Sequence, residues 1–386
     1  MIPSLRKDFL RRWTPEAYRR LLSILESECG TPVGFRVSET PCFLSQGLCD
    51  NLTRAGLELI AQLSTAEYRA ISEASVPDEF RVPNEPPRPL FVQIDFGLIR
   101  NRDGAIEPRL VEIQGFPSLY AFQPALARAY VEAHGLDESL VPPSFPDVLA
   151  RAILGAHAAE NVILLEIDPL HQKTACDFAL TRKLTGVKAV CVTEVRKRGR
   201  KLFYSNGGVE TPVHRIYNRA IVDEQVRRGV RAGFAWTDDL DVEWAGHPNY
   251  YFRISKFSLP YLDHPTVPRT LFLDQVKAPP DDLDNWVLKP LYSFAGRGVV
   301  VGPSPSDLPA DRRGWILQER CRFEPLFETP EGMAKAEIRV MYIWLGREPQ
   351  AVSMIVRMGR GKMMGVDQNR NMTWVGASAA LVPQPR

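Results

Sequence analysis

No apolar run in this 386-residue sequence is long enough to cross a bilayer, and no stretch of it is low in complexity or repeated. The basic N-terminal segment MIPSLRKDFLRRW lacks the continuous apolar core of a secretory signal, so it reads as a capped surface helix. Six cysteines (Cys29, Cys42, Cys49, Cys176, Cys191, Cys321) are scattered without CxxC spacing. That disfavours both a zinc cluster and a disulfide scaffold and leaves free thiols in a reducing cytoplasm. Six histidines include no HExxH pair, which argues against a zinc hydrolase. Charge of one sign is also missing. A formal net charge of +2 calls for neither nucleic acid nor an anionic membrane as partner.

What is present is an ordinary globular composition, 45% hydrophobic and 24% charged, in a chain long enough for two or three domains. Apolar positions at helical spacing run through residues 5–28, with Thr14 and Pro15 as a helix start, and again through 48–63. After a proline-rich connection at 76–89, the pattern predicts a strand over 90–97, a turn at Asn101–Gly104 and a returning strand over 108–113. A helix is predicted over 121–134. Residues 161–246 alternate buried-type strands (162–167, 187–192, 213–218) with a helix over 172–185, the pattern of a small parallel α/β domain. The basic run Arg196–Lys201 falls at a predicted turn and lacks interleaved aromatics, so a solvated hairpin tip is expected there.

The segment WVLKPLYSFAGRGVVVG (286–302) reads as strand, glycine-bearing turn and strand. Such a tip can lay backbone N–H groups against phosphate oxygens, with Lys289 as a point charge; an ordinary hairpin fits the composition equally. Downstream, Trp315–Glu319 is a strand ending in Gln318 and Glu319, suited to lining a flat ring and binding hydroxyls. Glu337 and Arg339 share one face of an alternating strand, and Arg357 ends the next strand. Taken singly, each is as well read as a half-buried strand with solvated charges. Together they suggest a polyphosphate ligand.

Chemistry on a polyphosphate needs Mg²⁺, and Mg²⁺ needs oxygen ligands. These lie far upstream, where a hairpin places Asp95 beside Glu112 and Gln114 on one face, a candidate platform for two ions.

These stretches resemble the ATP-grasp superfamily of carboxylate–amine ligases. Ser255-Lys256-Phe257 followed by PTVPRT (265–270) is similar to that family's first nucleotide lysine and the entry to its ATP subdomain. VLKPLYSFAGRG resembles its second lysine and phosphate lid, ILQE its hinge strand, and EIRVMYIW with the strand to Arg357 its next catalytic strands. The family's metal strand resembles DFG…DGAIEPRLVEIQGFPS, which here precedes the rest. That order resembles the circularly permuted arrangement of eukaryotic-type glutathione synthetases, and VHRIYNRAI is similar to a strand of their inserted α/β domain. Gln114 departs from the usual asparagine by one methylene, and the residues that contact glutathione there have no match here.

The resemblance implies an α+β, circularly permuted ATP-grasp fold with an inserted Rossmann-like α/β domain. Its divisions would be 1–150 (helices plus the metal strands), 151–249 (substrate domain) and 250–386 (nucleotide-binding part). It implies an ATP- and Mg²⁺-dependent ligase joining a small-molecule carboxylate to an amine through an acyl phosphate. Lys256, Lys289 and the loop of Ser293, Gly296, Arg297 and Gly298 would hold the phosphates, and Gln318 and Glu319 adenine and ribose. Asp95, Glu112 and Gln114 would hold two Mg²⁺ ions. Glu337, Arg339 and Arg357 would be catalytic. Arg219, Tyr217, Ser118 and Tyr120 are weaker candidates for the substrate side. A phosphotransferase or a non-catalytic nucleotide-binding protein of the same fold are the alternative expectations.

Overall fold

The computed structural model describes residues 2–293, 296–365, 369 and 371–383. In chain order the elements are α1 (Pro3–Arg12), α2 (Pro15–Cys29), β1 (Cys42–Phe43), α3 (Gln46–Gln62) and α4 (Ala66–Ile71), then the long hairpin β2 (Phe91–Arg100) and β3 (Ile106–Gln114). After α5 (Phe122–His134) and α6 (Pro146–Leu154) come β4 (Val162–Glu166), α7 (Ala175–Thr185) and β5 (Lys188–Cys191). The strands β6 (Arg196–Arg198), β7 (Lys201–Asn206) and β8 (Val209–Val213) lead to β9 (Arg215–Asn218), α8 (Val222–Arg227), β10 (Glu243–Ala245) and α9 (Tyr250–Arg253). The last third supplies β11 (Thr270–Phe272), β12 (Trp286–Pro290), β13 (Val300–Val301), β14 (Trp315–Glu319) and β15 (Phe327–Thr329). It ends with β16 (Gly332–Ile343), β17 (Gln350–Gly359) and β18 (Gly376–Leu381).

These assemble into a mixed α+β fold with several sheets. The largest has the order β1-β18-β17-β16-β2-β3, with β15 also paired to β16. It joins the first third of the chain to the last, because β2 lies antiparallel to β16 from Glu337↔Gly97 to Ile343↔Phe91. Alternation decides which side chains go where. Ile94, Phe96, Ile338, Val340 and Tyr342 point to one face and pack under Leu52, Ala55 and Leu59 of α3. Gln93, Asp95, Glu337 and Arg339 take the other face. The β2–β3 turn closes as read: the Asn101 side chain accepts from the N–H groups of Asp103 and Ala105, and Gly104 supplies the left-handed residue (φ 83°).

Residues 162–245 hold a wholly parallel sheet, β10-β9-β4-β5. Val162 and Leu164 pack toward α6, while Ile163 and Leu165 join a second cluster with Val190, Ile216 and Trp236. One expectation is corrected here. The strand read over 213–218 is two strands, since Val213 pairs with Leu202 in the small β6-β7-β8 sheet while Arg215 pairs with Val162 in the parallel one. The chain changes sheets at His214. The basic run forms the β6–β7 tip, with Lys197 on Asp238, Arg198 on Glu210 and Arg200 on Asp239 and Asp241. Three of the five basic side chains in the run thus have acidic partners.

The antiparallel sheet β11-β14-β12-β13 forms a roof over one end of the large sheet. Trp286, Leu288 and Leu317 pack into its own small core. That turns Val287, Lys289 and Gln318 the other way, toward the large sheet.

The docking of α3 depends on Gly56, where a Cβ would come within 2.0 Å of the Tyr342 hydroxyl oxygen. That hydroxyl donates to the Thr53 carbonyl at 2.9 Å. Gly56→Ala is expected to cost about 1–3 kcal/mol through overpacking, read as a lowered melting temperature; an unchanged melt would refute this packing.

Candidate functional site

Between the roof sheet and the large sheet lies a cleft of about 480 Å³. Its floor is one face of the large sheet: Glu112 and Gln114 on β3, Lys335, Glu337 and Arg339 on β16, Ile355 and Arg357 on β17, and Ala377 on β18. Its roof is Val287, Lys289, Val299, Val301 and Gln318, with Glu319, Arg320, Cys321, Arg322 and Phe323 following as the chain leaves β14. Among the described residues nine basic and three acidic side chains line it, so its net field is positive.

Register explains the charge pattern. One row across the sheet runs Glu112–Asp95–Arg339–Ile355, and the next runs Gly97–Glu337–Arg357–Ala377. Cross-strand neighbours on one face are in contact range, so Asp95 meets Arg339 and Glu337 meets Arg357, while Glu112 stands beside Asp95 as a like charge. Arg339 Nη2 lies 2.7 Å from Asp95 Oδ2, its Nε also meets Asp95, and its Nη1 donates to Gln93 Oε1 at 3.1 Å. Arg357 Nη2 meets Asp95 and lies 2.6 Å from Glu337 Oε1. Burial pushes the Asp95 carboxyl up, but the two guanidiniums outweigh it and hold it below its ordinary value. For Glu337 burial wins over Arg357, with Asp95 adding to it, and its pKa is raised.

The two lysines reach the floor from above. The Gly115 N–H donates to the Ile254 carbonyl at 2.8 Å, and a turn capped by Ser255 and Ser258 starts immediately after. That brings Lys256 Nζ to 2.8 Å from Glu112 Oε1 and 2.8 Å from the Ser293 carbonyl. Lys289, on β12, donates to the Val111 carbonyl at 2.9 Å and to Gln318 Oε1 at 2.5 Å. Burial lowers the Lys289 pKa, Glu112 opposes this, and Lys256 reinforces it. Burial raises the Glu112 carboxyl, and Lys256 more than offsets this, so its pKa falls below the ordinary value.

The structure gathers Lys256, Lys289, Gly296, Gln318, Glu319, Glu112, Gln114, Ser118, Glu337, Arg339 and Arg357 around one cleft. Of the loop over the roof, Gly296 and Gly298 both have φ near 72°, which only glycine adopts cheaply. Ser293 and Arg297 are its other described members and do not line the cleft; Phe294 and Ala295 lie outside the described residues. Asp95, expected as a metal ligand, is paired with Arg339 and Arg357, with 1% of its surface exposed.

The substrate-side candidates divide. Ser118 lines the cleft, but Tyr217, Arg219 and Tyr120 do not. Tyr120 is fully buried and donates to the Tyr342 carbonyl at 2.9 Å. Arg219 is buried and spends its charge on Asp177 at 2.7 Å, so it is no clamp facing the cleft. Sequence reasoning missed Lys335, although it stands in period 2 with Glu337 and Arg339. It also missed Phe323, which covers Gly97 where a Cβ would meet its ring at 2.0 Å. Phe35 and Lys173 carried no local signal. The 362–365 segment, in the glycine-punctuated loop through Gly361 and Gly365, is shaped by Asn369, which accepts from the N–H groups of Arg360 and Gly361 and donates to the Met363 and Gly365 carbonyls.

For a nucleotide the fit is good. Gln318 Nε2 is buried with no hydrogen-bond partner, at the point where the roof meets the cleft. For Mg²⁺ the donors fit one ion, at Glu112 and Gln114. Among the described residues no three His, Cys, Asp or Glu side chains gather to hold a metal.

The architecture is that of a glutathione synthetase-like fold. A solved structure of a glutathione synthetase-like effector from Globodera pallida, in apo form, superposes with a TM-score of 0.58 at 12% sequence identity, over 95% of this chain and 97% of that one. No protein-family model matches the sequence, and no curated protein matches it by sequence.

Two variants separate structure from ligand binding here. Asp95→Ala strips the buried Arg339 of its carboxylate partner and leaves Arg357 only Glu337, and should cost about 3–5 kcal/mol without any ligand present; an unchanged apo melting temperature would show that Asp95 does not hold the floor together. Glu166, buried at the end of β4, is pushed up to about 8 by desolvation, with Arg219 opposing. Between 4.5 and about 8 the unfolded chain has released this proton while the folded chain keeps it, so stability falls as pH rises through that window. Glu166→Gln should flatten that slope in melts taken from pH 5 to 8, and a slope identical to the parent's would count against the buried neutral acid.

Proposed function

We propose that this chain is an ATP- and Mg²⁺-dependent ligase of ATP-grasp type, joining a carboxylate to an amine through an acyl phosphate. The observation that carries this reading is the meeting of Lys256, Lys289 and the β14 end with Glu112 and Gln114 in one basic cleft, although the two groups stand far apart in sequence. In this reading the fold is the circularly permuted form, with 151–249 as the substrate domain and 250–386 as the nucleotide part.

Lys256 and Lys289 neutralise the phosphates, and the buried setting that depresses Lys289 makes a phosphate a favourable partner for its charge. Gln318 backs Lys289 and presents its unpartnered amide to the base, while Glu319 at the rim takes ribose hydroxyls. Glu112 and Gln114 would hold one Mg²⁺ ion, which would supply positive charge to the phosphate oxygens. Lys256, paired with Glu112 in the structure, would turn to a phosphate on binding.

The glycine-bearing loop excludes water from the acyl phosphate. Arg357 enters both of its ion pairs through Nη2 and stabilises the oxyanion formed when the amine attacks. Arg339 is fully engaged with Asp95 and Gln93 and so orients the floor. Glu337, with its raised pKa, accepts the proton that the amine loses.

Mg-ATP should raise the melting temperature of the full chain, and Lys289→Met should remove that shift. ADP release, screened across amino acids, polyamines and peptides, should fall at least a hundredfold in Glu112→Gln. Full ADP release in that variant would overturn the assignment. ATP binding without release under any acceptor would favour a nucleotide-binding protein that is not an enzyme.

A further inference from the structure

The turn that carries Lys256 is short and irregular. α9 spans only Tyr250–Arg253, and Ser255 and Ser258 cap the tight turn that follows. Helical segments of this length do not persist unaided, so the position of Lys256 has to be set from outside. Residues 68–86, which are α4 and the irregular connection after it, supply that support. The Asn249 side chain accepts from the Val82 N–H at 3.0 Å and donates to the Val82 carbonyl at 3.1 Å. Tyr250 Oη donates to the Pro86 carbonyl at 2.8 Å. On the other side Gly115 packs so closely that a Cβ would stand 2.6 Å from the Tyr250 carbonyl oxygen.

At the centre of this contact is Arg253, a charged residue only 5% exposed. Its Nε lies 2.8 Å from Glu85 Oε1, and its Nη2 meets Glu73. Its Nη1 donates to Ser72 Oγ at 3.1 Å and to the Arg69 carbonyl at 3.2 Å. Glu85 also accepts from Asn249 Nδ2 at 2.7 Å, which ties both ends of α9 to one carboxylate. The Arg253 carbonyl accepts from Tyr68 Oη and, at 3.1 Å, from Ser258 Oγ, two residues past Lys256. A planar guanidinium engaged on three sides fixes direction as well as position. Arg253 itself does not line the cleft.

We propose that Arg253 is a positioning residue for phosphate binding. It does not meet the nucleotide; it holds Lys256 where Nζ reaches both Glu112 and the Ser293 carbonyl. A shift of about 1 Å would carry either 2.8 Å contact of Lys256 beyond hydrogen-bond range. This rests on the ligase reading above and adds to it a residue that acts through the first lysine.

The first measurement needs no ligand. Acetylation of Lys256 and Lys289 by acetic anhydride is followed in the full chain by mass spectrometry. Arg253→Met should raise the rate at Lys256 about fivefold relative to Lys289, and so should Arg253→Lys, which keeps a charge but loses the fork. Glu85→Gln, which keeps the shape and removes the partner charge, should act in the same direction and serves if the Arg253 variants do not fold. Equal rises at both lysines, or no rise, overturn the inference, because a merely structural role loosens both. The second measurement titrates adenosine and a non-hydrolysable ATP analogue into the same chains by calorimetry. The variants should bind the analogue about tenfold more weakly and adenosine within about twofold of the parent. Equal weakening of the two overturns this inference alone. Failure of the analogue to bind the parent chain overturns the ligase reading, and the phosphate role of Arg253 with it.

Discussion

Asp95 is the point on which the two ends of the chain converge. Its carboxylate lies on β2 and is gripped by arginines from β16 and β17, so one buried anion ties the early hairpin to the last strands. Burying three charges is expensive, and an apolar trio of similar size would cost less. What the charged cluster adds is register. A slip of one residue between β2 and β16 would turn Asp95 to the face that packs under α3, leaving Arg339 without its carboxylate and Arg357 with Glu337 alone. The pattern of charges on the cleft floor therefore depends on a residue that is itself beneath the floor.

The same arrangement gives the cleft its electrostatic character. Asp95 and Glu337 consume part of the positive charge of Arg339 and Arg357, and Glu112 consumes that of Lys256. The basic side chains still outnumber the acidic ones. These ion pairs hold the cationic groups of the cleft in place within the fold. Burial acts in opposite directions on Lys289 and Glu337, lowering one pKa and raising the other. Both groups are thereby made more responsive to a neighbouring charge.

Much of this was legible in the sequence, because period and turn chemistry are local. The hairpin at 91–114, the strand Trp286–Pro290, the helix after Thr14 and the alternation of Glu337 with Arg339 all follow from spacing within ten or so residues. The order of acid strand and lysine strands also pointed to their meeting. What could not be read was how each side chain is spent. Nothing near Arg219 in sequence announces Asp177, and nothing near Asp95 announces that two arginines more than 240 residues later will claim it. The break at His214 was hidden because Val213 and Arg215 belong to one apolar-looking run but pair with different partners. Phe35 and Lys173 lack a motif altogether; only the fold makes them neighbours.

The order of strands in the large sheet also bears on how the chain is made. The hairpin β2–β3 leaves the ribosome well before its partner β16, and β1 waits still longer for β18. During that interval the inner edge of β2 is an unpaired strand edge, open to wrong pairing. The parallel sheet of residues 162–245 has all its strands in hand much sooner. The cleft floor, which needs strands from both ends of the chain, can pair only after β16, β17 and β18 have been made.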